Sequence, residues 1–126
     1  MSKNIHIINV KTDDVSSNYN YFFLSGNSPL SNPFKYTGKR SNASKLTFKT
    51  REECIIAYRK YFELCYGQPG YEAMTYEFDK IYEHYKNGEE IYLGCFCSPL
   101  PCHCDVIAEE LEKKILKEKM NKNVKH

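Results

Sequence analysis

The sequence predicts an α/β protein with one small sheet and flanking helices. Short apolar runs of strand length alternate with longer segments in which apolar residues recur every three to four positions. In chain order these segments read strand, strand, loop, helix, helix, strand, helix. The run at residues 91–96 is apolar on both faces, which predicts a central strand covered by helices. We therefore expect a single α/β domain over residues 1–112, followed by a Lys-rich helix end and tail over 113–126.

Two strands are predicted at the start of the chain. Residues 3–10 are rich in Ile and Val, and residues 19–24 are rich in aromatic side chains. The polar residues 11–18 between them are expected to form a loop. His6 lies inside the first strand. Because no partner is near it in sequence, a packed or edge histidine is expected there rather than a metal ligand.

The segment 25–34 is predicted to be an irregular loop that directly follows a strand. It contains one Gly, two Pro, two Asn and three Ser, which exclude regular structure. Loops in this position hold ligands in many α/β sheets. The short polar side chains of Ser25, Asn27 and Asn32 suit a sugar hydroxyl or a phosphate. The alternative is an ordinary turn in which Phe34 fills the core.

Two amphipathic helices are predicted after a polar flap at residues 35–49. Thr50 and Glu53 have the spacing of a capping box, which starts a helix at 51–65. Gly and Pro residues end it, and a second helix follows at 71–87. The buried stripe of the first helix consists of Cys54, Tyr58, Tyr61, Phe62 and Cys65. Its two cysteines are expected to be ordinary buried thiols.

Residues 91–111 form the segment around which the chain is organised. The strand at 91–96 is followed by Pro99 and Pro101, which cannot continue it, and then by a helix predicted at 102–118. The residues at this strand-to-helix turn are Cys102, His103, Cys104 and Asp105. Main-chain N–H groups at a helix start favour anions and thiolates. This turn is therefore predicted to form the functional site of the protein.

Charge and composition limit the partners. The net charge of the 126 residues is +2, but the segment from Lys113 onward holds six Lys and one Glu, so that residues 1–112 carry −3. A nucleic-acid binder usually has a basic face on its folded part, so a nucleic-acid partner is not expected. No run is apolar enough to span a membrane and the start MSKNIHIINV does not read as a signal peptide, so we expect a cytoplasmic protein. A homo-oligomer remains an open alternative.

Three stretches resemble a bacterial and phage family known as domain of unknown function 4326. They are Leu24–Phe34, Arg51–Tyr61 and Leu93–Glu109, the last of which carries the signature CxCxPxPCHxDV. The chain departs from the family pattern at three places, with Ser25-Gly26 for Gly-Arg, and with Ser31 and Cys104 each for Gly. The resemblance implies a fold and a site but no reaction. For a phage-encoded member it would imply the host cytoplasm.

The favoured function is binding of a small nucleotide-derived or sugar-phosphate ligand. The site would lie at the carboxyl edge of the sheet, between loop 25–34 and the turn at 98–105, because ligands of open α/β sheets bind there. The protein would sequester or hydrolyse this ligand, and no cofactor is required. The predicted ligand-binding residues are Ser25, Asn27, Asn32, Phe34, Cys97 and His103.

A structural zinc site is the first alternative. Cys95, Cys97, Cys102 and Cys104 supply four soft ligands, and clustered cysteines in a reducing compartment more often mean metal or reactivity than disulfides. Their spacing argues against zinc, because all four lie in one continuous segment rather than on two elements.

A thiol-dependent enzyme is the second alternative. Cys102 would be the nucleophile, activated by the helix start, with His103 or Asp105 moving protons. Adjacent residues on a helix point about 100° apart, so Cys102 and His103 need not meet.

Overall fold

Three parallel strands form the main sheet of the protein in the computed structural model. The strands of the chain are β1 (Ile5–Asn9), β2 (Asn20–Phe23), β3 (Lys35–Tyr36), β4 (Thr47–Phe48) and β5 (Ile91–Cys95). The helices are α1 (Arg51–Cys65), α2 (Glu72–Lys86) and α3 (His103–Val124). The structure describes residues 4–9, 20–24, 28–33, 35–36, 47–48, 50–95 and 102–124.

The strand β5 is the central strand of this sheet, in the order β1-β5-β2. Both neighbours pair with it in parallel, with Ile5 and Asn20 each opposite Ile91. The side chains of Ile91, Leu93 and Cys95 are fully buried, as expected for a strand with neighbours on both sides and helices against it. The predicted α/β class and the predicted central strand are confirmed.

The helix α1 has the bounds that the sequence predicts. The hydroxyl of Thr50 accepts from the N–H of Glu53, and the Glu53 carboxylate accepts from the N–H of Thr50. This capping box supplies partners to N–H groups that a helix start leaves unpaired. The helix ends before Gly67, whose φ of 81° favours glycine over other residues.

The helix α2 spans Glu72–Lys86, one residue shorter at each end than predicted. Gly88, with a φ of 83°, follows its end. The buried residues of both helices, apart from Cys54, share one core with the strands. On α1 they are Cys54, Tyr58, Phe62 and Cys65, and on α2 they are Met74, Phe78, Ile81, Tyr82 and Tyr85.

The helix α3 is longer than the sequence predicted. Its apolar stripe lies where expected, with Val106, Ile107 and Leu111 fully buried. The predicted end near residue 118 is wrong, because α3 continues to Val124. Residues 113–124 contain no Gly or Pro and many Lys, which is a good helix former.

One predicted segment differs from the structure, and another cannot be compared with it. The expected flap at 35–49 contains β3 and β4, which form a two-stranded parallel sheet. The predicted loop at 11–18 lies outside the described residues. None of the helices, over the part of the chain that the structure describes, combines the length and apolar character that a membrane span requires.

Candidate functional site

The carboxyl ends of the three main strands meet at one edge of the sheet. The strand β1 ends at Asn9, β2 at Phe23 and β5 at Cys95. Since all three run in the same direction, these strand ends lie on the same side of the sheet. The N-terminus of α3 also lies here, because Cys102 contacts Cys95. The structure thus brings together the elements that the sequence assigns to the site.

His103 joins the start of α3 to the end of β2. Its side chain is buried, with 7% exposed, and its Nε2 donates a hydrogen bond to the main-chain oxygen of Leu24. Burial lowers the pKa of His103 and the bond to Leu24 opposes that change. The neutral imidazole is therefore favoured, and its hydrogen bond links the start of α3 to the end of β2.

The loop that follows β2 is held in place by Tyr58 of α1. The phenol Oη of Tyr58 donates to the main-chain oxygen of Leu30 over 2.6 Å, and the Tyr58 ring meets the His103 ring edge-on at 5.3 Å. Burial raises the pKa of Tyr58 well above its ordinary value, so the phenol remains a donor. Within the loop, Ser28 accepts from the N–H groups of Leu30 and Ser31 through its Oγ and carbonyl oxygen respectively.

The start of α3 is capped by its own side chains. The Asp105 carboxylate accepts from the N–H of Cys102 at 2.8 Å, and the Cys102 sulfur accepts from the N–H of Cys104 at 3.4 Å. The N–H of Asp105 is bonded to the Cys102 carbonyl. A carboxylate thus already occupies the anion-favouring end of the helix. Asp105 is a capping residue here, in addition to any role toward a ligand.

Three cysteine sulfurs converge at the same edge. The Sγ atoms of Cys95, Cys102 and Cys104 all lie within 4.8 Å of one another, and all three side chains are buried. The Sγ atoms of Cys102 and Cys95 are 3.4 Å apart. Among the described residues, this is the one group of three or more His, Cys, Asp or Glu side chains whose donor atoms lie this close together. We call these residues the thiol cluster.

The pKa values favour thiols over thiolates in the metal-free cluster. The hydrogen bond with Cys104 lowers the pKa of Cys102, but the bond with Cys95 and burial outweigh it and raise that pKa to about 12. The pKa of Cys104 is raised by the bonds with Cys102 and Cys95 and by burial. The expectation of a Cys102 thiolate at the helix start therefore does not describe this form of the protein.

The other predicted ligand-binding residues divide into two groups. Asn32 is half-buried in the loop after β2. Ser25, Asn27, Phe34 and Cys97 lie outside the described residues. The sequence identified Tyr58 only as a core residue and so missed its support of the loop. The available signal was its position in a buried stripe, because a buried phenol needs a hydrogen-bond partner.

Comparison with known proteins gives a family and no activity. The family model described as "Domain of unknown function (DUF4326)" matches residues 7–113 of the chain. No match was found among the curated proteins or the solved structures.

Proposed function

We propose that this chain, which belongs to the domain of unknown function (DUF4326) family, binds a small nucleotide-derived or sugar-phosphate ligand at the carboxyl edge of its sheet. The observation that carries the proposal is the contact of His103 with the main-chain oxygen of Leu24. It ties Leu24, the residue before the predicted polar loop, to His103 of the predicted strand-to-helix turn. The loop and the turn are the two walls between which we place the ligand.

The topology of the sheet supports this location. Open parallel sheets bind ligands beyond the carboxyl ends of their strands, where loops from different strands converge. Here the central strand β5 leads into α3, and its neighbour β2 leads into the loop that contains Asn32. Both loops belong to neighbouring strands of one parallel sheet, so a ligand could contact both at once.

The contacts at the edge refine the roles of the residues. Because the Asp105 carboxylate caps Cys102 and burial protects Cys102 itself, we propose binding rather than hydrolysis by Asp105 or attack by Cys102. His103 and Tyr58 hold the walls in place. Recognition is assigned to the polar side chains predicted for this role, Ser25, Asn27 and Asn32, of which the structure describes Asn32.

The experiment is a thermal-shift screen with nucleotides, nucleotide sugars, cyclic nucleotides and sugar phosphates. Wild type is compared with Asn32→Ala and with a matched control, Asn4→Ala, whose amide bonds to the Glu89 carbonyl before β5 begins. A compound that binds should do so about 5–150-fold more weakly in Asn32→Ala, which corresponds to about 1–3 kcal/mol for a lost polar partner. Binding by Asn4→Ala should equal that of wild type.

Each variant is measured against its own ligand-free melting temperature, so that a change in stability is not mistaken for a change in affinity. The proposal fails if no compound in the screen shifts the wild type. It also fails if every bound compound is bound equally well by Asn32→Ala and Asn4→Ala.

A further inference from the structure

We infer that Cys95, Cys102 and Cys104 form a binding site for one thiophilic metal ion of the Zn²⁺ or Cu(I) class. This inference goes beyond the proposed ligand site and does not depend on it. It rests on the positions of the three sulfur atoms and on the contacts around them.

The separation of the sulfurs fits a single ion. A Zn–S bond of about 2.3 Å in a tetrahedral site places two sulfurs about 3.8 Å apart. In the protein all three Sγ atoms lie within 4.8 Å of one another, and the Cys95–Cys102 pair is 3.4 Å apart. Adjustments of about 1 Å or less per pair would therefore bring the cluster to metal-binding distances.

The three cysteines of the thiol cluster lie at the ends of two different secondary-structure elements. Cys95 is the last residue of β5, and Cys102 and Cys104 flank His103, the first residue of α3. The Cys102 side chain folds back over the helix start, where it accepts from the N–H of Cys104. An N–H that donates to a sulfur in this way would also stabilise that sulfur as a metal-bound thiolate. The strand end and the helix start thus act as the two separate elements of an ordinary zinc site, although they belong to one continuous segment.

Two of the sulfurs contact main-chain oxygens over long distances. The Sγ of Cys95 lies 3.7 Å from the Ile8 carbonyl oxygen, and the Sγ of Cys104 lies 3.9 Å from the Gly94 carbonyl oxygen. On metal binding the three thiols lose their protons to solvent and three S–metal bonds form, with no change in oxidation state. The main-chain partners lost are long S–H···O contacts.

The donor set determines the class of ion. A set of three sulfur ligands selects soft ions over Mg²⁺ or Ca²⁺. The neighbouring polar groups are engaged elsewhere, because His103 Nε2 bonds to Leu24 and the Asp105 carboxylate bonds to Cys102 N–H. Zn²⁺ would complete its tetrahedron with a solvent molecule or a ligand atom, whereas Cu(I) accepts three sulfurs alone.

The first test uses the full chain, purified in a non-chelating reductant. Bound metal is measured by elemental analysis and native mass spectrometry, before and after loading with Zn²⁺ or Cu(I). Co²⁺ serves as an optical probe, because a cobalt–thiolate centre gives charge-transfer bands that carboxylate or imidazole ligation does not. We expect one ion per chain. We also expect the three buried thiols to be alkylated more slowly in the loaded protein than in the same protein after treatment with a strong chelator.

The second test uses variants of single cysteines. We expect metal binding to weaken by at least about 100-fold in each of Cys95→Ser, Cys102→Ser and Cys104→Ser. Loss of a group that only supports a metal ligand already weakens binding by about 10–100-fold, and loss of a ligand should cost more. Cys54→Ser and Cys65→Ser change buried thiols of α1 outside the thiol cluster and should bind as wild type does. Cys97→Ser tests the four-cysteine set predicted from sequence. Cys97 is not part of the site proposed here, so this variant should retain the ion.

The alkylation experiment on wild type keeps the inference testable if a cluster variant fails to fold. Protection of Cys95, Cys102 and Cys104 by Zn²⁺, Co²⁺ or Cu(I), identified by peptide mapping, supports the site. If none of these ions binds stoichiometrically, or if the protected cysteines are Cys54 and Cys65, the thiol cluster is apolar packing and the inference is wrong.

Discussion

The imidazole of His103 donates to the main-chain oxygen of Leu24, and this bond joins two residues that lie 79 positions apart in the sequence. Leu24 follows the strand β2 and His103 begins α3, so one buried contact ties the edge of the sheet to the last helix. Both ends of the bond are buried, with 0% of Leu24 and 7% of His103 exposed. Loss of the imidazole would leave a buried carbonyl without this donor.

His103→Ala should therefore lower the free energy of unfolding by about 1–3 kcal/mol, the usual effect of an unsatisfied buried polar group. Urea denaturation measures the change. His6→Ala is the matched control, because His6 pairs with Glu90 through a partly exposed contact of 2.6 Å, and such a pair contributes only about 0–1 kcal/mol. Equal losses in the two variants would contradict a bracing role for His103.

The stability of the protein should depend on pH through the same residue. Burial places the pKa of His103 below its ordinary value, which is about 6.5. As the pH falls through about 6.5, the unfolded chain binds a proton that the native chain does not, so the free energy of unfolding decreases. His103→Gln lacks this ionisation, and its stability should fall less between about pH 7.5 and about pH 5.5. Denaturation in reductant and chelator tests this, and identical slopes for the two proteins would refute it.

Tyr58→Phe isolates the hydroxyl that holds the loop. The substitution retains the ring in the core and removes only the donor to the Leu30 carbonyl. We expect a loss of about 1–3 kcal/mol in the free energy of unfolding, together with weaker binding of any ligand found in the screen. Tyr76→Phe, at a side chain that is 70% exposed, should have little effect. A wild-type stability for Tyr58→Phe would show that the loop does not depend on this bond.

The Lys-rich end of α3 should be dispensable for folding. Leu116 and Met120 are 58% and 65% exposed, so the last turns place little apolar surface in the core. Truncation after Glu118 should change the melting temperature by no more than about 2 °C, which for a chain of this size is well under 1 kcal/mol. A fall of about 5 °C or more would mean that the tail packs on the body. Truncation after Glu110, which removes the fully buried Leu111, should prevent stable folding.

Local chemistry was enough to predict the strands of the main sheet and the starts of the helices. The capping box of Thr50 and Glu53 gave the start of α1, and the apolar run at 91–96 gave the central strand. A capping box is formed by residues that are close in sequence, and a central strand is marked by apolar residues on both faces. Both features can therefore be recognised in the sequence alone. The far end of α3 carried no stop signal, and its predicted bound was accordingly wrong.

The site shows the limit of such reasoning. The sequence placed Cys102, His103, Cys104 and Asp105 at a helix start, where unpaired N–H groups predicted an anion or a thiolate. It could not show that Asp105 and Cys102 would cap those groups themselves, nor that the bond with Cys95 and burial would raise the pKa of Cys102. Side-chain orientation and desolvation depend on the packed chain around the residue.

The sequence by itself thus determined the family, the α/β class and the segment in which Cys, His and Asp side chains are concentrated. Only the tertiary structure decided what that segment does with its side chains. The spacing of the cysteines argued against a metal because they lie in one stretch of chain. Yet the strand end at Cys95 and the helix start at Cys102 and Cys104 fold against each other and bring three sulfurs within 4.8 Å. Distances between side chains arise from how strand and helix pack, and linear spacing does not contain them.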